Sequence, residues 1–196
     1  AGTSRYCLRA LGAAANPAWA DLGTAGYVQV LDRDVTQNTV VSTTAETTVY
    51  TYTVPAGTLS TTKALRLTLL GDYLNNDGTG RDLTVKVKYG TTTIYTSAAN
   101  TIANTATRRA VHLECVLSAF NSASLQMAST RYAIGGADTA TGTNGYPAPL
   151  YDNWAVHNAS AEASAGALAL AVLVTHGTSS ANISFRCNTV HLELLP

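Results

Sequence analysis

Three stretches of strict apolar–polar alternation limit most sharply the folds open to this chain. Leu65, Leu67 and Leu69 share one parity while Arg66 and Thr68 hold the other. The pattern returns as Leu83, Val85, Val87 and Tyr89 against Thr84, Lys86 and Lys88, and again as Val111, Leu113, Cys115 and Leu117 against His112 and Glu114. Successive side chains of a strand point to opposite faces. Each stretch therefore predicts an antiparallel strand with one face in a core and one in water. No sustained 3.6-residue periodicity competes with it. An all-β protein follows.

The chain has 196 residues, which suits one domain with or without an arm. Apolar residues make up 46%, ample for a core. Lys plus Arg and Asp plus Glu both number 12, so the formal charge is zero, and charged residues are only 12%. That balance leaves no basic footprint for nucleic acid. The longest apolar run, Ala167 to Val174, is far short of the ~18 residues of a spanning helix, so no membrane partner is expected.

Residues 1–45 carry little pattern: an Ala-rich piece with Pro17, then Tyr27 to Leu31, then a polar run to Asn38. They are expected to form an extended N-terminal arm or edge segment, with residues 46–196 as the sandwich. Pro55-Ala56-Gly57 reads as a turn. Asn75-Asn76-Asp77-Gly78 reads as a tight hairpin joining the strands on either side, because Asp-Gly supplies positive φ angles. Leu125 to Thr130 is expected to pair back on the strand that ends before Asn121-Ser122. Residues 133–155, GGADTATGTNGYPAPLYDNW and its flanks, lack alternation and read as a long loop in which Tyr146, Tyr151 and Trp154 pack or bind something. Near the end, Ile183, Phe185 and Cys187 are odd whereas Val190, Leu192 and Leu194 are even, so a bulge near Asn188-Thr189 is required. Eight to ten such strands predict a two-sheet antiparallel sandwich, jelly-roll-like, with an N-terminal arm. An immunoglobulin-type sandwich is the alternative, but the chain has no Cys…Trp…Cys framework.

The segment 167–174 is apolar on both parities. Leu168, Leu170, Val172 and Val174 suit a core; Ala167, Ala169, Ala171 and Leu173 are then candidates for a subunit contact. Cys7, Cys115 and Cys187 cannot all pair within the chain and show no C-x-x-C spacing, so no disulfide framework is expected. Cys115 reads as a core side chain.

Catalytic motifs are absent from the linear pattern: there is no G-x-S-x-G and no phosphate-cradling glycine loop. The repeated strings VHLEC and VHLEL would, on adjacent strands, bring His112, Glu114, His191 and Glu193 together as a metal set; as wet-side residues of two strands they need no metal. Asp32 and Asp34 form a carboxylate pair in polar surroundings, solvated by default. Residues 71–82 look oxygen-rich but lack the ligand spacing of a calcium loop. His157 and His176 lie beside loop residues and read as surface. No cofactor, no metal and no enzymatic activity are expected.

Residues 38–97 resemble a recurrent domain of virion structural proteins of tailed bacteriophages, on Glu46-Thr-Thr-Val-Tyr50, Pro55-Ala-Gly-Thr-Leu59, Leu65-Arg-Leu67, Gly71-Asp-Tyr-Leu-Asn-Asn76 and Lys86-Val-Lys-Tyr-Gly90. The stretch from Leu168 to Leu195 is similar to the closing strands of the same domain. The resemblance implies a jelly-roll-like virion module that self-associates and brings no chemistry with it. With no heptads or Gly-x-y repeats for a fibre shaft, a capsid decoration protein is the leading expectation. It would bind the major capsid protein or another virion protein through its arm and form a homo-oligomer, a trimer by preference, in virions assembled in the host cytoplasm. The alternative is a tail-fibre or receptor-binding module that recognises a host surface glycan with Tyr146, Tyr151 and Trp154.

Overall fold

The computed structural model describes residues 6–9, 18–21, 27–137 and 151–196. Fourteen strands are found among them: β1 (Tyr6–Arg9), β2 (Ala18–Asp21), β3 (Gln29–Asp34), β4 (Asn38–Val41), β5 (Thr47–Val54), β6 (Ala64–Asn75), β7 (Arg81–Tyr89), β8 (Thr92–Thr96), β9 (Asn100–Ile102), β10 (Thr105–Ala119), β11 (Gln126–Ala137), β12 (Tyr151–Ser160), β13 (Leu168–His176) and β14 (Ile183–Leu195). β1 and β2 pair with each other alone. The larger sheet runs β12-β11-β10-β6-β14-β3, with β4 also on β14; the smaller runs β5-β13-β7-β8, with β9 also on β7. Every pairing is antiparallel.

Eight of these strands make a jelly roll. β4 pairs with β14, β5 with β13, β6 with β10 and β7 with β8, a long ribbon folded on itself so that its earliest strand meets its last. Rolling that ribbon puts β4-β14-β6-β10 in one layer and β5-β13-β7-β8 in the other. The β11–β12 pair widens the larger layer beyond β10.

Alternation decides which face is buried. Leu65, Leu67, Leu69, Val111, Leu113, Leu117, Val190 and Leu192 face inward from the larger sheet, and Leu83, Val85, Val87, Leu170, Val172 and Val174 meet them from the smaller. All belong to one core cluster. Each such side chain contributes about 1.5–3 kcal/mol by leaving water. Cys115 and Cys187 are buried, free thiols in this cluster. Burial pushes them up to about 11 and about 12, with the Asp34 charge adding to the shift at Cys187.

The parity switch in β14 is a bulge, as the sequence requires. Cys187 pairs with Gly71 and Thr189 with Leu70, leaving Asn188 out of register. Its side chain holds the kink: Asn188 donates to Asp72 Oδ2 at 2.8 Å and accepts from Gln37 Nε2 at 2.7 Å. Residues Asn121-Ser122 indeed turn β10 back onto β11, with Asn121 at φ 52°.

Three expectations need correction. The Asp77-Gly78 turn does not close a hairpin, because β6 and β7 lie in different sheets. Instead Asn75 Nδ2 donates to the carbonyls of Thr79 and Ile102, and Asp77 holds both Arg81 and Ser180, so the turn arches from one layer to the other. Gly78 still supplies the positive φ, at 84°. Second, residues 29–41 are not an arm. β3 and β4 form an interrupted edge along β14, so the sandwich begins well before residue 46. Their alternation is weak because an edge strand buries little of either face. Third, the expected 133–155 loop is narrower, since β11 runs to Ala137 and β12 starts at Tyr151.

Gly71 sits opposite the bulge, where a Cβ would run into the backbone carbonyl of Arg186. Gly71→Ala is therefore expected to destabilise the domain by about 1–3 kcal/mol, as overpacking does, measured as a shift in urea midpoint at unchanged slope.

Candidate functional site

The outer face of the larger sheet is ordered by register. One row across it reads Trp154 on β12, Arg131 on β11, Glu114 on β10, Thr68 on β6, His191 on β14 and Arg33 on β3. The next row reads Val156, Ser129, Val116, Arg66 and Glu193. On the other side lie Asp152, Ala133, His112, Leu70 and Thr189.

This register separates the two His/Glu pairs. β10 and β14 are not neighbours, since β6 runs between them. Glu114 and His191 thus flank Thr68 at about 10 Å, two strand spacings. Glu193 is also engaged elsewhere, receiving Arg66 at 2.6 Å. No group of three or more potential ligands occurs among the described residues. The two similar strings mark two wet strand faces, and their likeness reflects the shared alternation.

At the β12 edge, Trp154 stands 69% exposed and Val156 48%. The indole Nε1 donates to Ser129 Oγ at 2.8 Å, which draws the ring across β11. Arg131 grips Asp152 through two bonds, Nε to Oδ1 at 3.0 Å and Nη2 to Oδ2 at 2.7 Å. The pair lowers the Asp152 carboxyl and raises the Arg131 guanidinium relative to their ordinary values. The sequence hides this strand because its large apolar side chains, Trp154 and Val156, are on the wet side among polar neighbours. Tyr146 lies outside the described residues. Tyr151 opens β12, and its side chain also lies outside them.

The second candidate surface is the outer face of the smaller sheet. β13 lies in its interior between β5 and β7, with Leu170, Val172 and Val174 in the core. Ala167 and Ala169 are exposed and Ala171 half-buried. Leu173 is only 8% exposed although it points outward. Its neighbours across the sheet are Thr48 and Lys86. Glu46, just before β5, reaches over β13 to bind Lys86 and, at 2.8 Å, Lys88 on β7. Those two bonds hold the Glu46 carboxyl below its ordinary value. The ion-paired arch and its aliphatic stems cover Leu173 within one chain. What stays open along β13 is a strip of small side chains.

A cleft opens between β3 and β5, lined by Asp32, Arg33, Asp34, Asn38, Tyr50 and Thr51. Both carboxylates flagged in the sequence reach it, but each is engaged. Tyr50 donates to Asp32 Oδ2 at 2.8 Å, and Asp34 Oδ1 accepts from the Thr36 amide. Burial, then the Asp32 charge, push the Tyr50 phenol well above its ordinary range. The Tyr50–Asp32 bond ties the edge β3 to the opposite sheet.

His176 is not a surface residue: it is 1% exposed, against the Tyr73 ring at 5.9 Å. Neither ring nitrogen has a hydrogen-bond partner among the described residues. Burial lowers its pKa, and pushes the Tyr73 phenol up to about 12. The sequence hid this because His176 occupies an inward strand position beside the Gly177 turn.

No protein-family model matches the chain, and no curated protein matches it. Solved structures similar to it include the CBM2 module of the evolved Dit of Lactobacillus casei BL23 phage J-1, at 8% identity and a TM-score of 0.36, over 73% of this chain and 67% of that one. The infectious bursal disease virus VP2 subviral particle matches at 14% identity and 0.32, over 96% of this chain and 46% of that one. A legume lectin-like domain from Entamoeba histolytica matches at 8% and 0.23, over 73% and 74%. The chain thus spans under half the length of the viral protein. Likeness at this level extends no further than layered β-architecture.

Two outcomes follow. Zinc or EDTA is expected to leave the thermal midpoint unchanged, because β6 separates the two His/Glu pairs and Arg66 holds Glu193; a stoichiometric zinc-induced rise would overturn that expectation. Acid is expected to weaken the fold through His176. The unfolded chain takes up its proton as pH falls through about 6.5, while the buried imidazole resists protonation to lower pH. Stability is then complete above that value and lost below it. His176→Phe should flatten the acid limb of stability against pH, read from urea midpoints between pH 7 and 5.

Proposed function

We propose that the protein is a non-enzymatic virion structural module that decorates a bacteriophage head, held there by its N-terminal segment. The observation that carries this reading is the β1–β2 ribbon, which hydrogen-bonds to no other described strand. A lone two-stranded ribbon is marginal in water, so it gains most from lying on a larger surface supplied by another chain. A lattice of major capsid protein is such a surface.

Two further points support the reading. The residues from Glu46 to Gly90 resemble a phage virion domain, and jelly rolls recur in capsid proteins, although fold alone does not fix function. The strip at Ala169 and Ala171 would let a second copy approach the smaller sheet closely, and closed symmetry such as a trimer is the usual result of self-association. Leu173 contributes little to that contact, being already covered.

The test is a variant that starts at residue 27. It keeps every strand of the sandwich and is expected to retain the circular dichroism and thermal midpoint of the full chain while failing to co-sediment with phage heads. Full occupancy of empty heads by the shortened chain would refute the attachment role. Recovery of the protein with tails after shearing would refute the head location.

A further inference from the structure

We infer that the outer face around Trp154, where β12 meets β11, is a saccharide-binding platform. This site is independent of the head-attachment reading, because it uses β10, β11 and β12 and no residue of the β1–β2 ribbon.

The indole is the most exposed large apolar side chain among the described residues, at 69%. Its N–H is already satisfied by Ser129 Oγ at 2.8 Å. The ring is therefore held in one orientation by a neighbour and offers a ligand its π surface rather than a donor. A sugar ring has a face of C–H groups suited to such a surface, with hydroxyls around its rim.

The rim chemistry is present as well. Arg131 and Asp152 hold each other through two bonds beside the indole. A guanidinium has five N–H donors and a carboxylate about four acceptor positions, so the fork leaves donors and acceptors for hydroxyls while its own geometry stays fixed. Glu114 faces Arg131 from β10, adding acceptors one strand further on. The row from Trp154 to Glu114 spans about 10 Å, room for a disaccharide. Val156 extends the apolar part along β12, at 48% exposure.

The same features argue against a protein partner at this place. A docking patch has an apolar core with charges displaced to its margin, whereas here Arg131, Asp152 and Glu114 crowd a single ring. One apolar face ringed by fixed polar groups matches a ligand with that same division. The polar groups come from three neighbouring strands of a rigid sheet, so little ordering is needed on binding.

The test uses the full chain on an array of bacterial surface saccharides, followed by fluorescence titration with the saccharides retained. The chain has two tryptophans, Trp19 and Trp154, and W19F leaves the platform ring as sole reporter. Retained saccharides are expected to shift Trp154 emission. Trp154→Ala should weaken binding at least tenfold, Trp154→Tyr only severalfold, and Asp152→Asn severalfold, with thermal midpoints unchanged because both side chains sit on the wet face. If the wild-type chain retains no saccharide that W154A fails to retain, the inference is wrong. It is equally wrong if W154A keeps saccharide binding but loses co-sedimentation with heads, since that outcome would make the ring a protein contact. Failure of the shortened chain to leave heads bears on the attachment reading alone.

Discussion

β14 can serve the whole larger sheet only because Asn188 stands out of register. On one side it pairs with β6 along nearly its full length, and on the other it takes β4 and then β3. Without the extra residue, Val190, Leu192 and Leu194 would face water while His191 and Glu193 entered the core. The bulge is held by polar bonds from two directions, Asp72 on β6 and Gln37 in the β3–β4 connection. Gly71 allows the backbones to close at this point. Sheet pairing, core composition and the edge strands thus share one local irregularity.

The outer faces show how a chain with few charges places them. Arg66 meets Glu193, Arg131 meets Asp152, Arg108 meets Asp72, and Glu46 bridges Lys86 and Lys88. Exposed ion pairs contribute little to stability, about 0–1 kcal/mol each. Here they act as covers and positioners. The Glu46 arch reaches over β13 beside Leu173, and the Arg131 fork keeps order beside Trp154.

Much of the fold was legible in the residues. Alternation in 65–69, 83–89 and 111–117 assigned the inward faces correctly, and the parity change in β14 located its bulge, because burial enforces a two-residue period. Less legible was anything set by which strand neighbours which. The Asp77-Gly78 turn has hairpin chemistry yet spans two layers, and the VHLEC and VHLEL strings look paired yet have β6 between them. Turn residues specify local φ and ψ, whereas strand order is decided by long-range packing. At the candidate platform, the residues mark Trp154 as a ligand-facing aromatic but hide its strand, because the large apolar side chains there are on the wet face. His176 is hidden in the opposite sense, since a lone histidine carries no periodic signal of its own.

The pairing of β4 with β14 also governs how the chain reaches this state. During synthesis β6, which lies in the interior of the larger sheet, emerges with both backbone edges free and waits for β10 on one flank and for β14 on the other. A non-local closure of this kind folds slowly and leaves unpaired edges exposed in the meantime. The nascent polypeptide therefore passes through a sticky interval that lasts until the thirteen residues of β14 have emerged and paired.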